Sequence, residues 1–470
     1  MGAAAPSTYG RAAWLFLRLL GIVYLLAFWS LGDQIQGLIG ENGLLPALAW
    51  VSTSDAALHA LCIGGAALAS LLVAGILPWL VLPLLWLAYL SVASRPFLPY
   101  QWDTLLLETG FLSIFLTPLT RFERWRNPVT PPRVAVWLML CLLFRLTVGS
   151  GLVKLTSGDP TWHGLTALAV HFETQPLPTP LAWYAHQLPL WFLKGSTLMV
   201  LAIEIGVPFL IVAPRRWRAL AFVPLVGLQA LIALTGNYAF FNLLTVALYL
   251  FLLDDAAFGR WGSIQAGRAV TGQFRRGLIV AVAVVTIPIS VLKFTAALGI
   301  EPPGAALLDP LAKVIAPFRI VNTYGLFATM TTTRLEIVLE GSQDGATWVE
   351  YEFKYKVGDV RRRPPWVAPY QPRLDWELWF AAFGRFDDEP WLQNLCIKLL
   401  QADEAALRLL ERDPFQGRKP RQVRAVLYQY RFAEAEARRR DGAWWSRERL
   451  GEYSPILSLS TTTPGATDGR

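Results

Sequence analysis

The sequence predicts a mainly α-helical polytopic membrane bundle followed by a smaller, β-rich α+β aqueous domain of sandwich-like type. The 470-residue chain is 54% hydrophobic, 16% charged and contains 20 Trp, which is too apolar and aromatic for one soluble globule. Apolar runs of spanning length fill the chain to residue 298, and alternating, charged sequence follows. We therefore expect a bundle at 1–298, a linker at 299–315, the aqueous domain at 316–457 and a disordered tail at 458–470.

About nine segments are predicted to cross the membrane. Eight are uninterrupted apolar runs at 12–31, 56–77, 78–94, 134–155, 190–213, 217–235, 237–253 and 277–298. The first run lacks a small-x-small cleavage site, so we expect it to remain as the first helix. The ninth segment, 101–118, contains Asp103 and Glu108, whose polar side must face the bundle, because an ionisable group at membrane depth costs about 2.5–3.5 kcal/mol.

The distribution of basic residues predicts the orientation of the bundle. With nine spans and a cytoplasmic N-terminus, twelve arginines fall in the cytoplasmic segments: Arg11, Arg121, Arg124, Arg126, Arg133, Arg215, Arg216, Arg218, Arg260, Arg268, Arg275 and Arg276. Arg95 alone lies in the opposite loops. Cytoplasmic loops carry the positive residues, so the loop at 156–189 and the C-terminal domain are expected on the periplasmic, extracellular or luminal side.

Two classes of chemistry are disfavoured by composition. Cys62, Cys141 and Cys396 are widely spaced and form no CxxC or metal-ligand pattern, so we expect neither a disulfide nor thiol redox chemistry. The positive charge is concentrated in the membrane part, where it sets topology rather than binding nucleic acid.

The segment 145–189 gathers polar groups in a mostly apolar chain. Arg145 lies in mid-span and needs an acidic partner, for which Asp103 and Glu108 are the candidates. This intramembrane network has two interpretations, a structural ion pair or a substrate site. Lys154 closes the same span, and it is either a lysine that reaches the interface or a catalytic amine.

The loop that follows is expected to form a polar lid over the mouth of the bundle. Its candidate residues, expected to hydrogen-bond to one another, are Asp159, Trp162, His163, His171, Glu173, Gln175, Tyr184 and His186. The spacing of the histidines and Glu173 matches no metalloprotease or zinc-finger pattern, so no metal site is predicted.

The aqueous part shows patterns typical of a small mixed domain. Strands are predicted at 334–340 and 347–356, joined by a turn rich in Gly and Asp, with a helix at 391–411 and a late strand at 421–432. Asp375 is expected to cap a short aromatic helix.

Aromatic residues and arginines are clustered between these elements. The cluster, which is either core or an apolar client-binding patch with a basic rim, comprises Arg361, Arg362, Arg363, Trp366, Tyr370, Trp376 and Trp379 together with Phe380 and Phe383.

Several long irregular strings resemble the lipase maturation factor family. They are QWDTLLLETGFL at 101–112, KLTSGDPTWHGLTAL at 154–168, HFETQPLPTPLAWYAHQLP at 171–189, the segment 322–359 beginning NTYGLFATMTTTRLEIVLEG, and RRPPWVAPYQPRLDWELWFAAF at 362–383. The resemblance implies a multi-pass protein that assists the folding of secreted lipases or related clients, without established catalytic residues or a cofactor. It places the aqueous domain in a periplasm or in the lumen of the endoplasmic reticulum. Val357 and Tyr370 depart from the proline and histidine of the family, and the lack of paired cysteines argues against a role in disulfide handling.

A shorter match leaves an enzymatic alternative open. Gly151, Lys154, Leu155 and Trp162 resemble a helix end in the membrane domain of vitamin K-dependent gamma-carboxylase. That similarity implies a quinone-dependent membrane enzyme with Lys154 as base. The two hypotheses are therefore a non-enzymatic, chaperone-like factor that contacts the lipid bilayer and a secreted client, and a membrane carboxylase.

Overall fold

The computed structural model describes residues 8–45, 54–93, 100–126, 128–261 and 272–459. Helices of the N-terminal part are α1 (Gly10–Ile39), α2 (Asp55–Ala74), α3 (Pro78–Ala93), α4 (Gln101–Ser113), α5 (Arg133–Thr156), α6 (Pro160–His163), α7 (Ala167–Thr174), α8 (Pro180–His186), α9 (Leu190–Gly206), α10 (Arg215–Thr235), α11 (Phe241–Tyr249) and α12 (Gln273–Ala297). The C-terminal part contains α13 (Ala305–Ile315), β1 (Arg334–Ser342), β2 (Trp348–Glu350), α14 (Arg373–Ala381), α15 (Pro390–Gln401), α16 (Glu404–Leu407), β3 (Gln422–Phe432), α17 (Ala435–Asp441) and β4 (Trp445–Glu452).

Six helices among the described residues are long and apolar enough to cross a membrane. They are α1, α2, α5, α9 with its continuation to Val212, α10 and α12. Pro78–Ala93 and Phe241–Leu252 are shorter apolar helices, and α4 has 13 residues, a length of about 20 Å. A multi-pass membrane protein is thus supported, but the expected number of nine spans is not confirmed. The tail beyond residue 459, Arg95 and Arg268 lie outside the described residues.

The first two helices pack closely because of local sequence features. The Ser54 hydroxyl caps α2 by accepting from the Ala57 N–H at 3.3 Å, and Gly75 ends the helix in the left-handed region at φ 76°. A Cβ on Gly65 would lie 2.5 Å from the ring of Phe28, so only glycine permits this approach of α2 to α1.

The segment from 100 to 123 connects opposite ends of the bundle. At its start the Tyr100 hydroxyl donates to Glu377 of the C-terminal domain at 2.7 Å. At its other end Glu123 pairs with Arg18 in the first half of α1 at 3.1 Å, and Arg275 at the start of α12 donates to the Phe115 carbonyl at 3.2 Å. The chain therefore passes from the end that carries the C-terminal domain, called the domain end below, to the opposite end.

One antiparallel sheet forms the centre of the C-terminal domain. Its strand order is β2-β1-β3-β4, and Arg334 lies opposite Tyr430 in the register of β1 and β3. The strands expected at 334–340 and 421–432 are present, while the second hairpin strand is only the three residues of β2 and the edge strand β4 was not predicted. The described residues contain this single four-stranded sheet, so the domain is not a two-sheet sandwich.

Two helical predictions for this domain need correction. The helix expected at 391–411 is divided into α15 and α16, because Ala402 ends α15 in the left-handed region at φ 54°. Asp375 does not cap α14. It lies in the first turn, preceded by Pro372 at the cap position, and its carboxylate accepts from the backbone N–H groups of Tyr355 at 2.9 Å and Lys356 at 2.8 Å.

The domain and the bundle share hydrophobic cores. Ile35 and Leu38 at the end of α1 are buried with Leu378 and Leu395 of α14 and α15. In the other direction, Tyr324 is buried in the main core of the bundle, although it lies beyond the expected linker. That linker, 299–315, contains the helix α13. The C-terminal domain is therefore packed on the bundle rather than tethered to it.

Candidate functional site

The polar residues of the membrane part meet the C-terminal domain at the domain end. Glu108 on α4 accepts from the guanidinium of Arg145 on α5, and both side chains are buried. The other Glu108 oxygen accepts from the Asn322 backbone at 2.8 Å, the Asn322 amide at 3.0 Å and the Tyr324 hydroxyl at 2.8 Å. The Asn322 carbonyl in turn accepts from Arg145 at 2.5 Å. The residues that follow α13 thus complete the hydrogen bonding of this ion pair.

Asp103, expected as a second partner of Arg145, is paired elsewhere. It accepts from the guanidinium of Arg373 at 2.9 Å, and each of these two side chains is 1% exposed. The Tyr89 hydroxyl and the Tyr100 backbone N–H, at 3.1 Å, also donate to Asp103. The predicted intramembrane network is therefore two separate pairs, one of which joins α4 directly to α14.

Lys154 forms a third buried pair, which joins α5 to α9. Its ammonium lies 2.5 Å from Glu204 and 5.2 Å from the centre of the Trp162 ring. The side chain is therefore held inside the bundle instead of reaching the interface. Glu204 was missed by sequence analysis, although it is the one acidic residue in the apolar run 190–213 and was a usable signal.

Asp159 and Trp162 attach the start of the polar loop to the segment that precedes the sheet. Asp159 accepts from the Thr161 N–H at 2.7 Å and from the Met330 N–H at 2.7 Å. Desolvation raises the pKa of Asp159, but these hydrogen bonds and that of the Thr161 hydroxyl outweigh it, and the pKa lies below its usual range. Trp162 donates to the Phe327 carbonyl at 3.0 Å.

The three histidines of the loop have separate partners. His163 Nε2 lies 3.1 Å from the Leu155 carbonyl oxygen. His171 Nε2 lies 3.1 Å from the hydroxyl of Tyr238, which donates to Gln175 at 2.7 Å. Burial and the nearby ammonium of Lys154 lower the pKa of His171 to about 4, so the ring is neutral at pH 7.

The remaining loop residues contact strand β3 and the helix α17 that connects it to β4. His186 lies 3.7 Å from Glu173, which accepts from the backbone N–H of Phe432 at 2.7 Å. The Tyr184 hydroxyl accepts from Arg438 at 3.0 Å. The structure thus does not bring the three histidines together, and the described residues contain no group of three metal-ligating side chains.

Arg334, which sequence analysis did not single out, fixes this loop to the sheet. Its fully buried guanidinium donates to the carbonyls of Glu173 at 2.9 Å, Gln175 at 2.5 Å and Pro176 at 2.8 Å, and to Glu336 at 2.7 Å. The local sequence did not predict the burial of Arg334, because an arginine at the start of an amphipathic strand is ordinarily solvated.

A cavity of about 300 Å³ lies beneath the polar loop and is lined by residues of that loop and of α5, α9, α10 and α11. Lys154, Glu204, His171 and Tyr238 supply polar groups to its wall, and most other lining residues are aliphatic or aromatic.

The aromatic cluster of the C-terminal domain is divided between core and surface. Trp376, Trp379 and Tyr370 are buried, as the core interpretation expected. By contrast, Trp366 is 52%, Phe380 47% and Phe383 44% exposed. Rings of the two phenylalanines stack edge-on against Trp379 at centroid distances of 5.1 and 5.0 Å.

The neighbouring arginines are divided in the same way. Arg361 and Arg363 are exposed, whereas half-buried Arg362 donates to the Phe353 carbonyl at 2.6 Å. Of the residues proposed for an apolar patch with a basic rim, the exposed ones are therefore Trp366, Phe380, Phe383, Arg361 and Arg363.

Comparison with known proteins matches both parts of the chain. The family model described as lipase maturation factor transmembrane domain matches residues 11–56 and 46–260, and the model described as lipase maturation factor C-terminal domain matches residues 320–455. Lipase maturation factor 2 of Gallus gallus is 36% identical over 96% of this chain and 82% of that protein, and its Mus musculus counterpart is 35% identical over 96% and 83%. Lipase maturation factor 1 of Bos taurus is 36% identical over 94% of this chain and 88% of that protein. No solved structure gives a significant match.

Proposed function

The chain belongs to the lipase maturation factor family, and we propose that it is a non-enzymatic membrane factor that assists the maturation of secreted lipases or related client proteins. The observation that carries this proposal is the match of both family models, which together cover the bundle and the C-terminal domain. Neither these models nor the relatives named above are carboxylases, so the alternative with Lys154 as a base gains no support.

The client-binding surface is proposed to include Trp366, Phe380 and Phe383 with the exposed Arg361 and Arg363. Aromatic residues and arginines are enriched at protein interfaces, and a few such residues carry most of the binding energy. Phe380 and Phe383 pack against Trp379, whose indole donates to the Thr174 carbonyl at 3.0 Å, so these two rings are anchored to the polar loop. A folding intermediate of a secreted protein exposes the apolar surface that such a patch would bind.

We expect the triple variant Trp366→Ser, Phe380→Ser, Phe383→Ser to lower client maturation by about tenfold, because truncation of a few central aromatic anchors removes most of an interface's binding energy. Secreted lipase activity is measured on co-expression in cells that lack their own maturation factor. The matched control is Leu450→Ser, Ile456→Ser, Leu459→Ser, three similarly exposed apolar residues elsewhere on the domain. Equal secretion from the triple variant and the wild type, or an equal loss in the control, would contradict the proposed surface. Deleting the whole domain is a poorer test, because Tyr324 and Asn322 complete the bundle.

The proposed orientation places the N-terminus in the cytoplasm and the domain end in the periplasm, outside the cell or in the lumen of the endoplasmic reticulum. It is supported by the arginine distribution and by the shared location of the polar loop and the sheet at one end of the bundle. The opposite end carries Arg18, Glu123 and Arg275.

In a background without native cysteines, we expect Ser157→Cys and Ala346→Cys to react with an impermeant thiol reagent applied from the non-cytoplasmic side. Both residues are exposed at the domain end. Leu119→Cys, exposed near the opposite end, should be protected until the membrane is permeabilised. The reverse labelling pattern would overturn the orientation.

A further inference from the structure

The cavity beneath the polar loop has the features of a ligand site, and we propose that it binds an uncharged, lipid-soluble amphiphile with an apolar chain and a head of hydroxyl or carbonyl groups, such as a monoacylglycerol. Its volume of about 300 Å³ lies at the lower end of the range of small-molecule sites. Aliphatic and aromatic side chains supply most of the wall, which suits an acyl chain.

Two of the spanning helices, α9 and α10, contribute accessible apolar side chains to the cavity wall. Phe192 and Met199 on α9 and Leu231 on α10 line it and are each close to half exposed. These two helices are among the least buried of the candidate spans. A ligand therefore enters from the hydrocarbon of the bilayer, which selects molecules that partition into lipid.

The charges on the wall balance, which selects an uncharged head group. Lys154 and Glu204 neutralise each other at 2.5 Å, and His171 is neutral at pH 7. A carboxylate placed here would meet the carboxylate of Glu204 and would lose its own hydration, which is costly for an unpaired charge. A hydroxyl or a carbonyl carries no such cost.

The polar groups nevertheless offer specific hydrogen bonds. The Lys154 ammonium carries three N–H donors, and among the described residues Glu204 is its one hydrogen-bond acceptor. The Ser150 hydroxyl donates to the Leu146 carbonyl at 2.7 Å and keeps its capacity to accept. Unused donors on a buried ammonium that lines a cavity point to an oxygen acceptor on the ligand.

The test uses the full-length protein in lipid nanodiscs and a monoacylglycerol that carries a photoreactive diazirine in its chain. We expect saturable crosslinking to peptides of α9 and α10, competed by unlabelled monoacylglycerol about tenfold better than by the fatty acid of the same chain length or by the corresponding alkane. Ser196→Trp, which fills the cavity from α9, should lower labelling about tenfold, and Leu198→Trp, exposed on the same helix but outside the cavity, should not.

Three results would overturn the proposal: labelling that does not saturate, equal labelling in the two tryptophan variants, or better competition by the fatty acid or the alkane. If Ser196→Trp does not fold, Ile232→Trp fills the cavity from the opposite wall and replaces it. The outcome is independent of the client surface, because the cavity lies within the bundle.

Discussion

Replacing Arg373 by methionine is expected to lower the free energy of unfolding by about 3–5 kcal/mol, because it leaves the carboxylate of Asp103 buried without its charged partner. The two side chains, each 1% exposed, join α14 of the C-terminal domain to α4 of the bundle at 2.9 Å. Hydrogen bonds from Tyr89 and Tyr100 remain in the variant, but they do not neutralise the charge. The measurement is denaturant unfolding of the purified protein in detergent micelles.

A matched control is available in the turn after α14. Arg385 pairs with Asp387 at 3.9 Å, and both side chains are about four-fifths exposed, so Arg385→Met should change the free energy of unfolding by less than about 1 kcal/mol. The double variant Arg373→Met, Asp103→Asn removes both charges and should regain much of the loss. An Arg373→Met protein as stable as the control would show that this contact does not hold the domain to the bundle.

The ion pair of Arg145 could be anticipated because both of its members lie within neighbouring apolar segments of the sequence. A charge in an apolar run of spanning length needs a partner, and Glu108 lies in the neighbouring apolar segment. The same reasoning applied to Glu204 would have required a basic partner, for which Lys154, Lys194 and Lys293 all lie within predicted spans. In each case the hydrophobicity of the surrounding segment is enough to identify the charged residue as one that needs a partner.

The partner of Asp103 could not be anticipated in this way. Arg373 lies 270 residues further along the chain, in a polar segment where an arginine needs no explanation. The partners of Arg334 could not be predicted either. Three of them are backbone carbonyls of a loop, and a backbone carbonyl gives no signal in the sequence of side chains. Contacts between the bundle and the domain are therefore the part of the site that sequence reasoning misses.

The strands of the sheet could also be predicted only in part from the sequence. The strands β1 and β3 were recognisable by alternation and β-branched residues, and both lie in the middle of the sheet. The edge strand β4 reads WSRERLGE and is exposed at most positions, so it has no apolar face to predict it. Charged side chains on an edge strand prevent it from pairing with other chains. The same charges remove the alternating apolar pattern from which a strand is predicted.

These contacts together define a single unit at the domain end. Arg373 holds α14 to α4, the Glu108 group holds residues 322 and 324 to α4 and α5, and Arg334 holds the polar loop to the sheet. Because each of these side chains is buried and charged, a shift of the domain would expose unpaired charge in an apolar setting. The C-terminal domain is therefore held in one position on the bundle.

Glu108→Gln is expected to lower the free energy of unfolding by about 3–5 kcal/mol, since it removes the negative charge that is paired with buried Arg145. The glutamine has nearly the same shape and keeps an oxygen that can accept from Asn322 and Tyr324. The loss of stability is therefore due to the missing negative charge. Glu301→Gln, at an exposed position just after α12, is the control and should be neutral within about 0.5 kcal/mol.

The double variant Glu108→Gln, Arg145→Met separates a structural ion pair from a functional one. With neither charge left, most of the stability should return, because replacing both members of a buried pair is often neutral. If the pair only holds the fold together, client secretion should recover in parallel with the amount of folded protein. A double variant that is as stable as the wild type but fails to support secretion would instead assign Arg145 and Glu108 a direct role in maturation, and the structural interpretation of this pair would be wrong.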